Sequence, residues 1–222
     1  MRERDRNRWS LIVIARATAV GIDREATTLP AGTALPGDEF RARPRSFPRT
    51  PARPRPERGP RMPDVTAPMI TTSLWFDTQA EEAAEFYVSV FPGSRITHVQ
   101  RYGPGSPQPE GLAMVVGFEL GDTRFSALNG GPDFAFTEAT SFVIGCRDQD
   151  EVDHYWDALT DGGSEGQCGW LKDRFGVSWQ VVPNGMGGIL GDPDPARAQR
   201  AMQAMLGMRK LDIAELQAAA AG

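Results

Sequence analysis

The chain has 222 residues, of which 40% are hydrophobic, enough for the core of one ordinary domain with a tail or of two small domains. Its formal net charge is -5, and no apolar run approaches the roughly 18 residues that a membrane span needs, which excludes a membrane-spanning class. The two cysteines, Cys146 and Cys168, are too few for a disulfide framework, so we expect a soluble protein of the reducing cytoplasm.

The first part of the chain has the composition of a solvated tail. The first 61 residues hold 14 arginines and 7 acidic residues, whereas the remainder holds 10 basic and 22 acidic residues. Arginine and proline alternate along residues 41–61 with almost no apolar content. We predict a disordered basic tail over residues 1–66, either a solvated extension or a segment upstream of the natural first residue, Met62 or Met69. Because few aromatic residues are interleaved with its arginines, we expect no nucleic-acid or membrane partner.

From Met69 the pattern becomes that of an ordered α+β domain. A buried strand, "ITTSLWF", is followed by an amphipathic helix, "TQAEEAAEFYVSVF", and by three strands, "RITHVQRY", "LAMVVGFEL" and "TRFSALN". Gly121 and Asp122 predict a tight hairpin turn between the last two strands. Thr78 with Glu81 predicts a capping box at the start of the helix.

The same order of elements then repeats. "SFVIGC" is a strand, "QDEVDHYWDALTDGG" a helix, "EGQCGWL" a short strand and "VSWQVVP" the last strand. Asp148 with Glu151 predicts a second capping box, and Gly93 and Gly163 each lie 15 residues after a predicted cap. Two βαβββ modules offset by 70 residues explain this best, with chance similarity of two capped helices as the alternative.

A helical segment follows the second module. Asp194 and Pro195 form a helix start after a glycine-rich link, and Met202 and Met205 lie on one face of that helix. Such methionines are typical of core filling or of a dimer contact, and less often of a lid over a ligand. We predict a domain over residues 69–190 and a C-terminal helical extension over 191–222, packed on the barrel or on a dimer partner. Within the domain, module one spans residues 69–131 and module two spans 139–183.

Four stretches of the sequence resemble a known family. They are "LWFDTQAEEAAEFYVSVFPGS", "SFVIGCRDQDEVDHYWDALTDGG", "CGWLKDRFGVSWQVVP" and "AMLGMRKLDIAELQAA". The chain resembles the vicinal oxygen chelate superfamily of glyoxalase I, extradiol dioxygenases and bleomycin-resistance proteins, and within it the PhnB-like branch, often labelled 3-demethylubiquinone-9 3-methyltransferase. The resemblance implies tandem βαβββ modules that form an incomplete barrel around a cavity, often in a homodimer, with C-terminal helices.

The resemblance also implies a divalent metal held by His and Glu side chains on the first and last strands of each module. At those positions this chain offers Thr72 on the first strand, Ser126 or Asn129 on the fourth, Ser141 or Cys146 on the fifth, and Gln180 on the last. A neutral amide is a far poorer ligand than the expected carboxylate. We therefore expect no family-type metal site and no cofactor.

Three further features of the sequence are weak candidates for a catalytic, metal-binding or cofactor-binding role. Cys168 lies four residues from Lys172, whose charge could favour a thiolate nucleophile, but a small packed side chain is the alternative. His98 on an edge strand and His154 on an acidic helix face show no ligand spacing. The glycine-rich segment 103–111 precedes a strand rather than a helix, which argues against a nucleotide-type methyltransferase.

These observations favour a metal-independent protein that binds a small organic ligand in its cavity. We expect the cavity to be lined by a set of polar, apolar and aromatic side chains: Thr72, Leu74, Asn129, Ser141, Cys168, Trp170 and Gln180. Alternation along the last strand places Ser178 and Val182 with Gln180, and Val177, Trp179 and Val181 in the core. The alternatives are a metal-dependent lyase, isomerase or dioxygenase, and a scaffold protein.

Overall fold

A computed structural model describes residues 70–222, and the predicted disordered tail of residues 1–66 lies outside this range. The strands are β1 (Thr72–Phe76), β2 (Arg95–Arg101), β3 (Ala113–Leu120), β4 (Thr123–Asn129), β5 (Phe142–Cys146), β6 (Ser164–Glu165), β7 (Trp170–Lys172) and β8 (Ser178–Pro183). The helices are α1 (Ala80–Val90), α2 (Gln149–Thr160), α3 (Met186–Leu190), α4 (Pro195–Gly207) and α5 (Ile213–Ala221). None of these helices combines the length and the apolar content needed to cross a bilayer.

The strands form two four-stranded sheets with the same topology. The strand order is β1-β4-β3-β2 in module one and β5-β8-β7-β6 in module two. In each module the first and last strands pair in parallel, and the remaining pairs are antiparallel. This topology confirms the prediction of two βαβββ modules in an α+β fold, and the sheets of the described residues do not close into a barrel.

Each sheet has one face in the core and one outer face. Leu74, Phe76 and Ala127 are buried in module one, and Trp179 and Val181 are buried in module two. These residues alternate with others that point the opposite way, because successive side chains of a strand project to opposite faces. We call the face with the buried set the helix face, since α1 and α2 pack there, and the opposite one the outer face.

The helix faces of the two modules share one hydrophobic core. Phe91 after α1 stacks on Trp179 of β8 with ring centroids 5.4 Å apart. Phe125 of β4 meets Phe142 of β5 edge to face at 5.3 Å. Aromatic pairs of this kind contribute packing energy beyond the area that they bury. The two modules are therefore packed together within one chain through their aromatic side chains.

A buried carboxylate also joins the modules. Asp173, in the turn before β8, is 3% exposed and accepts hydrogen bonds from Tyr87 Oη (2.8 Å) and Trp179 Nε1 (2.8 Å). It also accepts from the backbone N–H groups of Phe175 (2.9 Å) and Val177 (3.0 Å). Burial raises the pKa of the Asp173 carboxyl although these four donors favour its charged form, and burial raises the pKa of the Tyr87 phenol.

The start of α1 differs from the prediction. The N-cap is Gln79, whose side chain makes no capping hydrogen bond, so the capping box assigned to Thr78 and Glu81 is wrong. Instead, Asn129 Oδ1 at the end of β4 accepts a hydrogen bond from the Ala80 N–H (2.8 Å). The second helix does start as predicted, because the Asp148 side chain accepts from the Glu151 N–H. The first cap is thus supplied by a strand distant in sequence.

The segment predicted as one strand, "EGQCGWL", forms two short strands joined by a tight turn. The Trp170 N–H donates to the Gln167 carbonyl (3.1 Å), with Cys168 at φ 58° and Gly169 at φ 83° between them. Cysteine rarely adopts a left-handed conformation, and Cys168 is the one non-glycine residue with positive φ in the described range. The second helix ends at Thr160, and Gly162 in the turn after it has a left-handed conformation (φ 73°).

The C-terminal segment after Pro183, here called the extension (residues 184–222), packs on module two. Its N-cap Asp194 and first-turn Pro195 confirm the predicted helix start. A second core lies between module two and the extension, formed by Cys168, Val182, Met186, Met205, Met208, Leu211 and Leu216. Carbonyls of Met208 and Arg209 accept hydrogen bonds from the N–H groups of Cys168 (2.8 Å) and Gly169 (2.7 Å). The extension is therefore held to the 167–170 turn by both backbone and side chains.

Candidate ligand-binding face

Gln180 lies at the centre of the outer face of module two. The strand register places Val143 of β5, Gln180 of β8 and Trp170 of β7 side by side across the sheet. The side chain of Val143 is 63% exposed, whereas Trp170 is half-buried against the extension. An exposed apolar residue, an amide and an indole in one row give a surface that can stack on and hydrogen-bond to a small organic molecule.

The polar atoms of this face are only partly satisfied. Gln180 Nε2 donates to Ser141 Oγ (2.8 Å), which fixes the orientation of the amide. The buried atoms Trp170 Nε1 and Ser178 Oγ have no hydrogen-bond partner within the described residues. A buried polar atom without a partner costs about 1–3 kcal/mol, so each such atom calls for a functional or structural reason.

The structure brings together only part of the predicted set. Ser141, Trp170 and Gln180 share the outer face of module two. Leu74 lies in the core with Phe76, and Thr72 occupies the same side of β1, so these two lie on the helix face of module one.

Asn129 is fully buried, and its amide is used by backbone groups: Oδ1 accepts from Ala80, and Nδ2 donates to the Ala113 carbonyl (2.8 Å). Sequence reasoning missed Val143 as a lining residue. Alternation along "SFVIGC" could have identified it, because Phe142 and Ile144 pack on the core and leave Val143 on the opposite side.

Cys168 has the environment of a packed thiol. Its Sγ donates to the Met205 carbonyl (3.4 Å), and burial raises the pKa of the thiol, which disfavours the nucleophilic thiolate. Lys172, the residue proposed to activate it, pairs with Glu138 at 2.6 Å. These contacts favour a structural role in holding the extension.

We expect neither cysteine of the native protein to react readily with a thiol reagent at pH 8. Cys146 is fully buried and burial raises its pKa to about 12, while Cys168 is sealed beneath the extension. Titration with a chromogenic disulfide such as DTNB should show almost no fast reaction, and two thiols per chain after denaturation. Rapid stoichiometric labelling of native Cys168, identified by mass spectrometry, would show that the thiol is accessible and activated.

The side chains at the superfamily's metal-ligand positions do not fit a divalent metal. Asn129 and Gln180 offer neutral amides whose nitrogens are already hydrogen-bonded, and Thr72 and Ser141 offer hydroxyls. Within residues 70–222, no three side chains of His, Cys, Asp or Glu type come together as a possible metal site.

A family model matches the part of the chain that forms the two sheets. Residues 68–182, about half of the chain, match the family described as 3-demethylubiquinone-9 3-methyltransferase. A putative 3-demethylubiquinone-9 3-methyltransferase from Bacillus cereus, a PhnB protein, is 33% identical over 51% of this chain and 98% of its own, with a TM-score of 0.49.

Two further solved structures are more distant in sequence. The fosfomycin resistance protein FosX from Listeria monocytogenes is 14% identical over 53% of this chain and 94% of its own, with a TM-score of 0.39. The trypanothione-dependent glyoxalase I from Leishmania major is 14% identical over 54% of this chain and 88% of its own, with a TM-score of 0.38. No curated protein matches the chain. The chain belongs to the 3-demethylubiquinone-9 3-methyltransferase family, the PhnB-like family that its sequence resembles.

Proposed function

We propose that the protein binds a small, mostly neutral organic ligand on the outer face of module two, without the metal usual in the superfamily. The observation that carries the proposal is the row of Val143, Gln180 and Trp170, in which the indole N–H has no partner. An indole N–H can only donate, so the ligand must present a hydrogen-bond acceptor such as a carbonyl oxygen. Its apolar part would lie on Val143.

We expect a ligand to reach the unpaired polar atoms of this face only after the face opens locally. Trp170 Nε1 and Ser178 Oγ are buried, so an acceptor reaches them only if neighbouring side chains move. The cost of leaving these atoms unpaired in the free protein is recovered when a ligand pairs with them. A ligand that supplies acceptors to both atoms would therefore be favoured over an apolar ligand of equal size.

We also propose that the protein is a homodimer in the cytoplasm. In such a dimer, two open sheets could together complete a barrel. The proposal does not include methyl transfer, since the glycine-rich segment 103–111 runs between β2 and β3 and not from a strand into a helix. The family's name refers to such an activity, but a strand-to-helix glycine turn is the feature that would support a nucleotide-type cofactor.

Acetophenone, which combines an aromatic ring with one carbonyl acceptor, is a suitable probe. We expect saturable shifts of the Trp170 indole N–H in ¹H–¹⁵N spectra, with the signal assigned from Trp170→Phe. Gln180→Ala should weaken binding about fivefold, as expected for one neutral hydrogen bond and the orientation that it fixes. The matched control is Trp75→Phe on module one, which should leave the affinity unchanged.

Two results would overturn the proposal. One is a probe that binds equally well to wild type, Trp170→Phe and Gln180→Ala. The other is stoichiometric Zn, Ni, Fe or Mn in protein purified without chelator, which would favour the metal-dependent alternative.

A further inference from the structure

Ser178 is the buried end of the outer face of module two. It is the first residue of β8, which lies between β5 and β7, and it pairs with Lys172 at the end of β7. On the other side, the parallel pairing of β8 with β5 places Ser141 beside it. Ser178 is only 1% exposed, and its Oγ has no hydrogen-bond partner within the described residues. This hydroxyl is therefore covered by groups that do not bind it.

An ion pair closes the sheet at this point. Lys172 Nζ lies 2.6 Å from a carboxylate oxygen of Glu138. Glu138 belongs to the linker between the modules, residues 130–141, and enters the sheet on the β5 side of β8, whereas Lys172 is on the β7 side. The pair therefore joins the two neighbours of β8 across the end that carries Ser178.

Lys172 points to the same face as the row proposed to bind the ligand. Leu171 packs in the core shared by the modules, so Trp170 and Lys172, its neighbours on β7, project to the outer face. Residues two apart on a strand are about 7 Å apart along it. A ligand whose carbonyl reaches Trp170 Nε1 can thus extend to the Lys172 ammonium.

The Glu138 carboxylate can leave this position at little cost. Its side chain is 65% exposed and is already largely solvated, and exposed ion pairs contribute little to stability. The linker is anchored separately, because Phe136 packs edge to face on Phe76 at 5.2 Å, so only the Glu138 side chain has to move. The hydrogen bond from Lys172 lowers the pKa of the Glu138 carboxyl, which is therefore ionised at neutral pH.

We propose that Lys172 and Ser178 bind a carboxylate of the ligand, which takes the place of Glu138. The inference rests on the proposed function, since it adds one acidic group to the otherwise neutral ligand of the same face. The ammonium keeps a counter-ion when one carboxylate replaces the other. The ligand's carboxylate also accepts a hydrogen bond from Ser178 Oγ, which Glu138 does not. The ligand class is thus a carboxylic acid with a carbonyl acceptor near its apolar end.

The two lysines of the chain, Lys172 and Lys210, provide a direct test on the full-length protein. The probe is 4-oxo-4-phenylbutanoate, an aromatic ketone with a terminal carboxylate, and the uncharged control is its methyl ester. In protein with ¹³C-labelled lysine, we expect a saturable shift of the Lys172 ε-methylene signal with the acid and a much smaller shift with the ester. The Lys210 signal, assigned from Lys210→Gln, should not move, because that ammonium pairs with Asp153 of α2 at 2.9 Å.

Variants separate the site from nonspecific charge effects, with affinities taken from the shifts of the Trp170 indole N–H. Glu138→Gln should strengthen binding of the acid about threefold, because it removes the competing carboxylate and keeps the size of the side chain. Lys172→Gln should weaken binding of the acid about tenfold, as expected for loss of a hydrogen bond to a charged group. Lys210→Gln, the matched control, should leave it unchanged.

The outcomes distinguish this inference from the proposed function. Equal affinity for the acid and the ester, wild-type affinity for the acid in Lys172→Gln, or weaker binding of the acid to Glu138→Gln would each overturn the carboxylate site. The proposed function would still stand in those cases, because the ester would bind through its ketone. If neither the acid nor the ester shifts the Trp170 indole signal, the proposed function fails, and this inference fails with it.

Discussion

Replacing Asp173 with alanine is expected to reduce the free energy of unfolding by about 4 kcal/mol, or to prevent folding. The substitution leaves Tyr87 Oη, Trp179 Nε1 and two backbone N–H groups without their shared acceptor in the core. Each unpaired buried donor costs about 1–3 kcal/mol, although relaxation of the cavity recovers part of the sum. Urea denaturation followed by circular dichroism would measure the loss.

The matched variant is Tyr87→Phe, which removes one of the four donors and keeps the ring. We expect it to cost about 1–2 kcal/mol, clearly less than Asp173→Ala. A similar loss from both variants would mean that the bond to Tyr87 carries most of the effect. Stability of Asp173→Ala within 0.5 kcal/mol of wild type, on the order of an ordinary surface substitution, would contradict the role assigned to the carboxylate.

Gly169→Ala is expected to cost about 3 kcal/mol and to loosen the extension. Gly169 has φ 83°, and an added Cβ would lie 2.7 Å from the Val181 carbonyl oxygen and 3.1 Å from Leu211 Cδ1. The backbone cannot move away easily, because the Gly169 carbonyl accepts from Val181 N (2.8 Å) and its N–H donates to the Arg209 carbonyl (2.7 Å). Limited proteolysis should cut the extension faster than in wild type.

Gly188→Ala is the control, since Gly188 lies in helix α3 and nothing lies within 4 Å of an added Cβ. It should be neutral or slightly stabilising, because alanine favours a helix over glycine by up to about 1 kcal/mol. If Gly169→Ala matched this control in both urea denaturation and proteolysis, the tight packing of the turn would be refuted.

The features that could be predicted from the sequence are those fixed by neighbouring residues. The Gly121–Asp122 turn connects β3 and β4 as predicted, with Leu120 paired to Thr123. Alternation along β8 correctly placed Trp179 and Val181 in the main core and Val182 elsewhere. Both patterns depend on local geometry. A two-residue turn sets the pairing of the strands that it joins, and the alternation of side chains along a strand sets which face each one occupies.

The features that could not be predicted depend on residues distant in the chain. The acceptor that caps α1 comes from Asn129, 49 residues away, so the local Thr78 pattern was misleading. Thr72 and Leu74 were assigned from the superfamily's ligand positions, whereas the buried Leu74 and Phe76 show that this side of β1 faces the helix.

His98 could not be placed either. The sequence identifies an edge strand but gives no sign of the extra residue at Thr97 that turns the imidazole to the outer face. A bulge is set by the register against β3, which is fixed only when the strands pair.

The parallel pairing of the first and last strands in each module has a consequence for synthesis on the ribosome. Because β1 pairs with β4, module one has all its strands once Asn129 has been made, and β5 must wait for β8, which ends at Pro183. Pairing over such separations is slow, and domains tend to fold as units behind the advancing chain. Tyr87, however, stays without its acceptor until Asp173 emerges, so the nascent first module must tolerate an unpaired phenol in its core while the second is translated.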